Sequence, residues 1–337
     1  MRTIICRELG PPSSLVIEDR DPLEPGPGRV VVDVEAAGVN YVDALFVQGR
    51  YQIKPSLPFT PGSEIAGTVS AVGSGVTTVG VGDRVLASCG LGGFAEQVAL
   101  AADAVSVIPD SLDSARAATF TQSYCTALFA LRDRAGMRPG ETVLVLGAGG
   151  GVGLATIDVA HALGARSIGG ASSPAKRDAA MVAGASAVID TTTESLKDRA
   201  RELAAEVHAL TRGSDLAPPT GVDVVVDPIG GDLADDALRS LGDGGRYVVI
   251  GFAGGSIPSL PLNQVLLRNR TVVGVDWGAW AMAHADQQQH LLAELLEMVA
   301  AGRLHPVAPT TYPLDRAGDA LGDLLERRVV GKVALVR

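Results

Sequence analysis

Thr142-Val-Leu-Val-Leu-Gly-Ala-Gly-Gly-Gly-Val-Gly-Leu154 is the stretch on which the reading of this chain turns. An aliphatic run meets a glycine turn, and Val152, Leu154 and Ala155 then follow at helical spacing, which describes a buried strand running into a helix. The first N–H groups of a helix have no partner inside it and point outward. Gly150, Gly151 and Val152 therefore offer backbone donors suited to a pyrophosphate. In this reading Gly150 lets the chain approach the phosphates and Gly153 lets helix and strand pack closely. The register Ala148-x-Gly150-x-x-Gly153 departs from the strict glycine fingerprint at its first place. A glycine turn alone also serves tight bends that hold no ligand, so the surroundings decide.

Downstream, short apolar runs at Ser167–Gly170, Ala187–Ile189, Val222–Val226, Tyr247–Ile250 and Thr271–Val275 alternate with helix-length segments. That alternation predicts a parallel, doubly wound α/β sheet of the dinucleotide-binding (Rossmann) kind. Leu216–Thr220, with two prolines, predicts a loop before the fourth strand. Upstream, runs such as Val30–Val34, Thr68–Val72 and Arg84–Ala87 are punctuated by Gly, Pro and Asp, with few helical signals before Ser114. They predict a compact antiparallel domain, with Pro22, Pro25 and Pro27 marking an exposed loop. A helix from about Gln287 to Ala301 leads to short strands ending at Val333–Val336, which return to the first domain. The expected domains are 1–124, completed by 278–337, and a nucleotide-binding domain over 125–277.

The end of the second strand of the sheet selects the nicotinamide. An NAD site places a carboxylate there, about 20 residues past the loop, to accept the ribose hydroxyls. Here no carboxylate comes before Asp178; Ser172, Ser173, Lys176 and Arg177 offer hydroxyls and cations suited to a 2′-phosphate. The expected cofactor is NADPH. The competing reading makes Lys176 and Arg177 the solvated start of a helix.

Composition closes off other classes. With 47% hydrophobic and 20% charged residues, the 337-residue chain can bury sizeable cores, and disorder is disfavoured. A net charge of -10 without a long basic run argues against nucleic-acid or anionic-membrane partners. Only Thr3–Cys6 separates Arg2 from Arg7, too short for a secretory apolar region, and no apolar run approaches a bilayer span. The expectation is a soluble, cytoplasmic protein. Cys6, Cys89 and Cys125 are isolated, which excludes a disulfide framework and a four-cysteine zinc site.

With this order of parts the chain resembles the medium-chain dehydrogenase/reductase superfamily, and within it the quinone oxidoreductase (ζ-crystallin-like) branch. The resemblance spans nearly the whole length. It rests on Ala36-Ala-Gly-Val-Asn-Tyr-Val-Asp43, Pro61-Gly-Ser-Glu-Ile-Ala-Gly67, Val81-Gly-Asp-Arg-Val85, Gly92-Gly-Phe-Ala-Glu96 and Ala148-Gly-Gly-Gly-Val-Gly153. Val226-Asp-Pro-Ile-Gly-Gly231, Gly251-Phe252 and Gly331-Lys-Val-Ala-Leu335 support it. It implies a GroES-like barrel domain beside the Rossmann domain, with NADPH and substrate in the cleft between them, and a homodimer through the sixth strand.

Zinc-dependent members take their catalytic ligands from three places that fall, in this chain, on Asn40, Ser63 and, by alignment, Gln122. None is a thiolate, imidazole or carboxylate, and every histidine lies at or beyond position 161, so no metal is expected. Hydride transfer without a Lewis acid needs an acceptor that delocalises charge: a quinone, an enone or an unsaturated thioester. Asn40 and Tyr51 are the candidate substrate-side donors, Tyr51 because Gln48-Gly-Arg-Tyr51 is similar to a segment of enoyl reductases that carries a functional tyrosine. Tyr51 reads equally as a packing wedge, and Asn40 as a cap for its own loop. The resemblance also implies cofactor contacts from Asn40, Thr126, Gly251, Phe252 and the Trp277 backbone, with Trp280 lining an apolar pocket or a subunit interface. Asp43 and Glu64 read as charges that organise loops. The leading expectation is an NADPH-dependent quinone reductase. The alternatives are an NADPH-dependent enoyl-thioester or alkenal/enone reductase, for which Arg50 and Lys54 give slight support, and a non-catalytic NADPH-binding protein.

Overall fold

The computed structural model of the chain describes residues 1–212 and 220–337 and divides into two compact units. The first comprises Met1–Gln122, Leu296–Ala301 and Pro306–Arg337; the second comprises Ser123–Leu295 and Gly302–His305. Residues 278–295 thus lie with the second unit, whereas the sequence pattern assigned them to the first.

The first unit is antiparallel. A small sheet pairs β1 (Arg2–Ile5) with β2 (Val16–Asp19). The main sheet is laid around β3 (Arg29–Val39), whose alternating valines bury one face and whose length reaches three neighbours. After α1 (Tyr41–Val47), β4 (Glu64–Val72) and β5 (Arg84–Ser88) follow in meander order, while β6 (Gln97–Ala101) pairs with β3 and β7 (Val105–Val107) with β5. α1 was not legible in the sequence, which showed few helical signals there. Its buried residues, Asp43, Ala44 and Val47, recur at three- and four-residue spacing, but over only seven residues. α2 (Ser114–Ala117) begins behind Asp113, whose carboxylate accepts from Arg116 N. α3 (Thr121–Leu128) leads out of this unit.

The second unit is the expected parallel sheet. Its strands are β8 (Thr142–Leu146), β9 (Arg166–Ala171), β10 (Ala187–Asp190), β11 (Val222–Asp227), β12 (Leu241–Val249) and β13 (Thr271–Gly274). They stand in the order β10-β9-β8-β11-β12-β13, every neighbour parallel, so the chain reverses direction of travel beside β8. β8 is buried along its whole length, as a strand covered on both faces must be. The connecting helices are α4 (Gly151–Ala162), α5 (Pro174–Val182), α6 (Leu196–Arg212), α7 (Leu233–Ser240) and α8 (Leu262–Leu266). Leu144, Ile168, Leu203, Val225 and Tyr247 fill one core of this unit. The loop expected over Leu216–Thr220 lies almost wholly outside the described residues.

After β13 come α9 (Trp277–Ala283) and α10 (Ala285–Ala300), close to the helix expected over 287–301. β14 (Thr310–Pro313), α11 (Ala317–Leu325) and β15 (Val333–Val336) complete the first unit. β15 runs antiparallel to β3, with Val333 opposite Val39, which is the predicted return of the final strands. Val32, Ile65, Val85, Phe94, Leu321 and Leu335 share its core. Among the described residues no helix is long and apolar enough to cross a membrane.

Candidate active site

In the second unit the glycine turn forms the cradle the sequence calls for. Gly147 sits at φ +60°, a conformation that favours glycine, and Gly150 caps α4 in extended backbone. A Cβ on Gly153 would stand 2.3 Å from the carbonyl oxygen of Gly147, so only glycine lets α4 pack this tightly on the strand end. Gly149 is equally constrained, by the Cβ of Lys176 at 2.4 Å, which brings the start of α5 against the turn. At Gly150 an added Cβ would meet only Gly147 O, at 3.3 Å. The opening N–H groups of α4, from Gly151 and Val152, have no carbonyl one turn back within the helix. These features fit a dinucleotide pyrophosphate.

At the end of β9, Ser172 and Ser173 follow Ala171, Ser173 standing at the N-cap of α5 with Lys176 in its first turn. Arg177, the second cation singled out there, pairs with Asp190 of β10 at 2.9 Å and reaches Ala171 O at 3.4 Å. That pairing joins two strand ends.

The ends of β11 and β12 are laced together. Gly254 N donates to Ile229 O at 2.7 Å, and Ala253 N to Pro228 O at 3.1 Å. Beneath them lies a pair that the sequence reading missed. One oxygen of the buried Asp227 accepts Ile229 N and Gly230 N at 2.7 and 2.8 Å, and the other accepts the Tyr247 hydroxyl. Burial beside that carboxylate drives the Tyr247 phenol far above its ordinary range, so it stays a donor. Gly251 and Phe252 follow β12 at this end of the sheet, Phe252 part exposed. Thr126 is buried on α3. Trp277 opens α9 and donates Nε1–H to Gln288 Oε1 at 2.7 Å. Trp280 is stacked between Phe129 and His284, with centroids at 4.5 and 5.5 Å.

The first unit gathers the other candidates. Asn40 stands at the N-cap of α1, with Asp43 at the third helical position. Its Nδ2 donates to Glu64 Oε2 at 2.7 Å and, more loosely, to Ser63 Oγ at 3.4 Å, while its Oδ1 accepts from Lys332 Nζ. Gln122 completes the group: its Nε2 donates to Ser63 Oγ at 2.8 Å and its backbone N–H to Glu64 Oε1 at 2.6 Å. The three places aligned with zinc ligands are therefore adjacent, and they bond to one another. Asp43 lies below with one oxygen on Asn40 N at 2.7 Å. Burial pushes its carboxyl up to about 7, opposed by the Asn40 N–H bond and by Lys332. Lys332 is lowered by the same burial, and its Nζ is 3.8 Å from Glu64 Oε2.

Two amides and a hydroxyl are poor zinc donors, and the ammonium of Lys332 on Asn40 would repel a second cation. The donor set does not fit zinc. Tyr51 lies in the turn after α1, its ring edge-on to Phe46 at 4.9 Å, a packing contact within its own unit. Burial pushes the Cys89 thiol up to about 12, and Cys6 upward as well, so neither is activated.

A parallel sheet with a glycine cradle at its reversal point, joined in one chain to an antiparallel unit that carries a buried polar cluster, defines a nucleotide-dependent reductase or dehydrogenase of the medium-chain class. Residues 26–110 match the family model described as the alcohol dehydrogenase GroES-like domain, and residues 151–298 the one described as zinc-binding dehydrogenase. The chain is 40% identical over 342 residues to a quinone oxidoreductase-like protein 2 homolog of Nematostella vectensis, covering 99% of this chain and 88% of that protein. It is 31% identical, with a TM-score of 0.86, to a mycobacterial protein solved in complex with NADPH. Against the Escherichia coli quinone oxidoreductase, also complexed with NADPH, the values are 28% and 0.84; in both comparisons the whole of each chain is covered. The chain belongs to the quinone oxidoreductase branch of the medium-chain dehydrogenase/reductase superfamily.

Proposed function

We propose that this protein is an NADPH-dependent, zinc-independent reductase of quinones or other conjugated carbonyl compounds. The observation that carries the reading is the closed network of Asn40, Ser63, Gln122, Glu64 and Lys332, since the three positions that the resemblance aligns with zinc ligands offer amides and a hydroxyl and bond to one another. The glycine cradle, the absence of a carboxylate at the end of β9 and the NADPH-bound relatives support the cofactor.

Bound NADPH supplies a hydride at the nicotinamide ring. The N–H groups of Gly151 and Val152 hold the pyrophosphate, and Ser172 and Lys176 hold the 2′-phosphate. Asn40 and Tyr51 donate hydrogen bonds to the acceptor oxygen as it gains charge. With no metal to polarise an isolated carbonyl, the substrate must spread that charge itself, which selects conjugated acceptors. A homodimer accompanies this reading. β13 ends the sheet, Val272 is part exposed on it, and Leu262, Leu266 and Leu267 of the preceding segment face solvent. An apolar patch beside an open strand edge suits a second copy of the same edge.

The test is NADPH oxidation against a panel of quinones, enones and enoyl-CoA thioesters, before and after dialysis against a strong chelator. Turnover of conjugated acceptors that survives chelation supports the proposal. No turnover of any acceptor, or activity that returns only with added zinc, overturns it. In the same panel Tyr51→Phe keeps the ring against Phe46 and removes the hydroxyl. The expected loss is in kcat and is larger for enones, whose enolate needs a proton; full activity on every acceptor would make Tyr51 a packing residue.

A further inference from the structure

The amide of Asn40 is held between opposite charges. Its Oδ1 faces the ammonium of Lys332, and its Nδ2 faces the carboxylate of Glu64 at 2.7 Å. An ammonium has only protons to give and a carboxylate only lone pairs, so one amide orientation makes both bonds and the flipped one makes neither. Glu64 cannot turn aside, because its other oxygen accepts Gln122 N at 2.6 Å. Nor is the site wet enough to substitute solvent: Glu64 is 1% and Asn40 8% exposed, and the Lys332 side chain 14%. The second proton of Nδ2 is the loosely held one, pointing to Ser63 Oγ at 3.4 Å, an oxygen that already receives a better bond from Gln122.

We propose that Lys332 and Glu64 are positioning residues that lock the Asn40 amide with its nitrogen presented as donor, and that this loosely bound N–H is the one given to the carbonyl oxygen of the acceptor. The kinetic half rests on the reading of Asn40 under Proposed function; the orientation lock does not. Lys332 thereby serves as an internal cation acting through a neutral amide. Its fixed charge sets which atom of the amide is offered, so an acceptor oxygen is bound and a donor group in the same place is rejected.

A charge-neutral variant separates this role from simple burial of charge. In Lys332→Met with Glu64→Gln, residue 64 keeps its oxygen on Gln122 N and turns an NH2 toward Asn40. Asn40 must then present Oδ1 in that direction, so its amide reverses. The experiment uses the full chain with NADPH bound and 15N-labelled asparagine. The Asn40 side-chain amide signal, assigned by its loss in Asn40→Ala, should move in the double variant, with the carboxylate-bonded proton shifting upfield. NADPH affinity should stay within about two-fold, while kcat on the best acceptor falls about 10-fold. In an Asn40→Ala background the same two substitutions should lower kcat no further. An unmoved Asn40 signal in a folded double variant would overturn the lock, and an undiminished kcat beside a moved signal would overturn the donor role. If Asn40→Ala alone is fully active, the substrate reading of Asn40 falls, and the amide signal by itself decides the lock.

Discussion

A single phosphate separates the two nicotinamide cofactors, and Lys176 is where this chain would feel it. Lys176→Ala should weaken NADPH about 10-fold or more and leave NADH nearly unchanged, since only the former loses a charge-assisted phosphate bond. Fluorescence titration with both cofactors measures this, and equal losses would remove Lys176 from the site. Asp43 gives a pH signature. Its folded carboxyl titrates near 7, above the ordinary carboxylate range, so the folded state holds a proton that the unfolded chain releases. The stability this contributes is present below about pH 4 and is lost as pH rises through about 7. The urea midpoint of the wild type should therefore fall between about pH 5 and about pH 8, and Asp43→Asn should flatten that fall. Glu64, Lys332 and Cys89, which face Asp43, are present in both proteins, so the difference isolates this carboxyl. A wild type with no slope would refute it. At this scale the sequence was informative where chemistry follows local motif. Asn40, Ser63 and Gln122 were set side by side by alignment, and the structure bonds them together. Lys332 was quoted only as part of an ending, because nothing near it in the chain reveals that it meets a residue 292 positions away. The Asp227–Tyr247 pair was invisible for the same reason: each reads as an ordinary strand residue.

Elements were legible in proportion to their periodicity. The six parallel strands were found because short apolar runs alternate with helix-length segments after the glycine turn at β8. α1 was missed because seven residues are barely two turns, and its buried Asp43 breaks the apolar stripe that would have marked it. β12 begins earlier than expected because Leu241 pairs with Val222, whereas Gly242–Gly245 form an irregularity before Arg246 and carry no hydrophobic signal. The junction of β8 and α4 yields the sharpest element-scale prediction. Gly153→Ala puts a methyl 2.3 Å from Gly147 O and 2.8 Å from the Ala148 Cα, both backbone atoms that cannot step aside. The overpacking should cost about 1–3 kcal/mol and tilt α4 off its strand. Both Tm and NADPH affinity should drop, the latter about 10-fold. Gly322→Ala on α11, where a Cβ meets open space, is the control and should be neutral or slightly stabilising. If Gly153→Ala binds NADPH normally, the close approach of helix and turn is not what shapes the cradle.

For the molecule as a whole, the prediction concerns association. If β13 edges pair between two copies, Leu266→Glu combined with Val272→Glu should convert a dimer to a monomer in sedimentation at micromolar concentration, because each copy carries like charges into the contact. A wild type that sediments as a monomer would refute the edge-to-edge arrangement. The two units were foreseen from the change in pattern near Glu141, whereas the later boundary was not, since α10 continues through it without a break in periodicity. The first unit is also discontinuous in sequence, and that has a consequence in time. A ribosome adding about 5–20 residues per second delivers Lys332 roughly 15–60 s after Asn40. Throughout that interval β4 and β6 can flank β3, but β15 cannot, and Glu64 has no cation to answer it. The second unit is translated entirely within the wait. The nascent protein should therefore carry a finished nucleotide-binding unit beside an unfinished one, and chains stalled after residue 305 should resist protease over 123–209 and 220–295 while 1–122 is still cut.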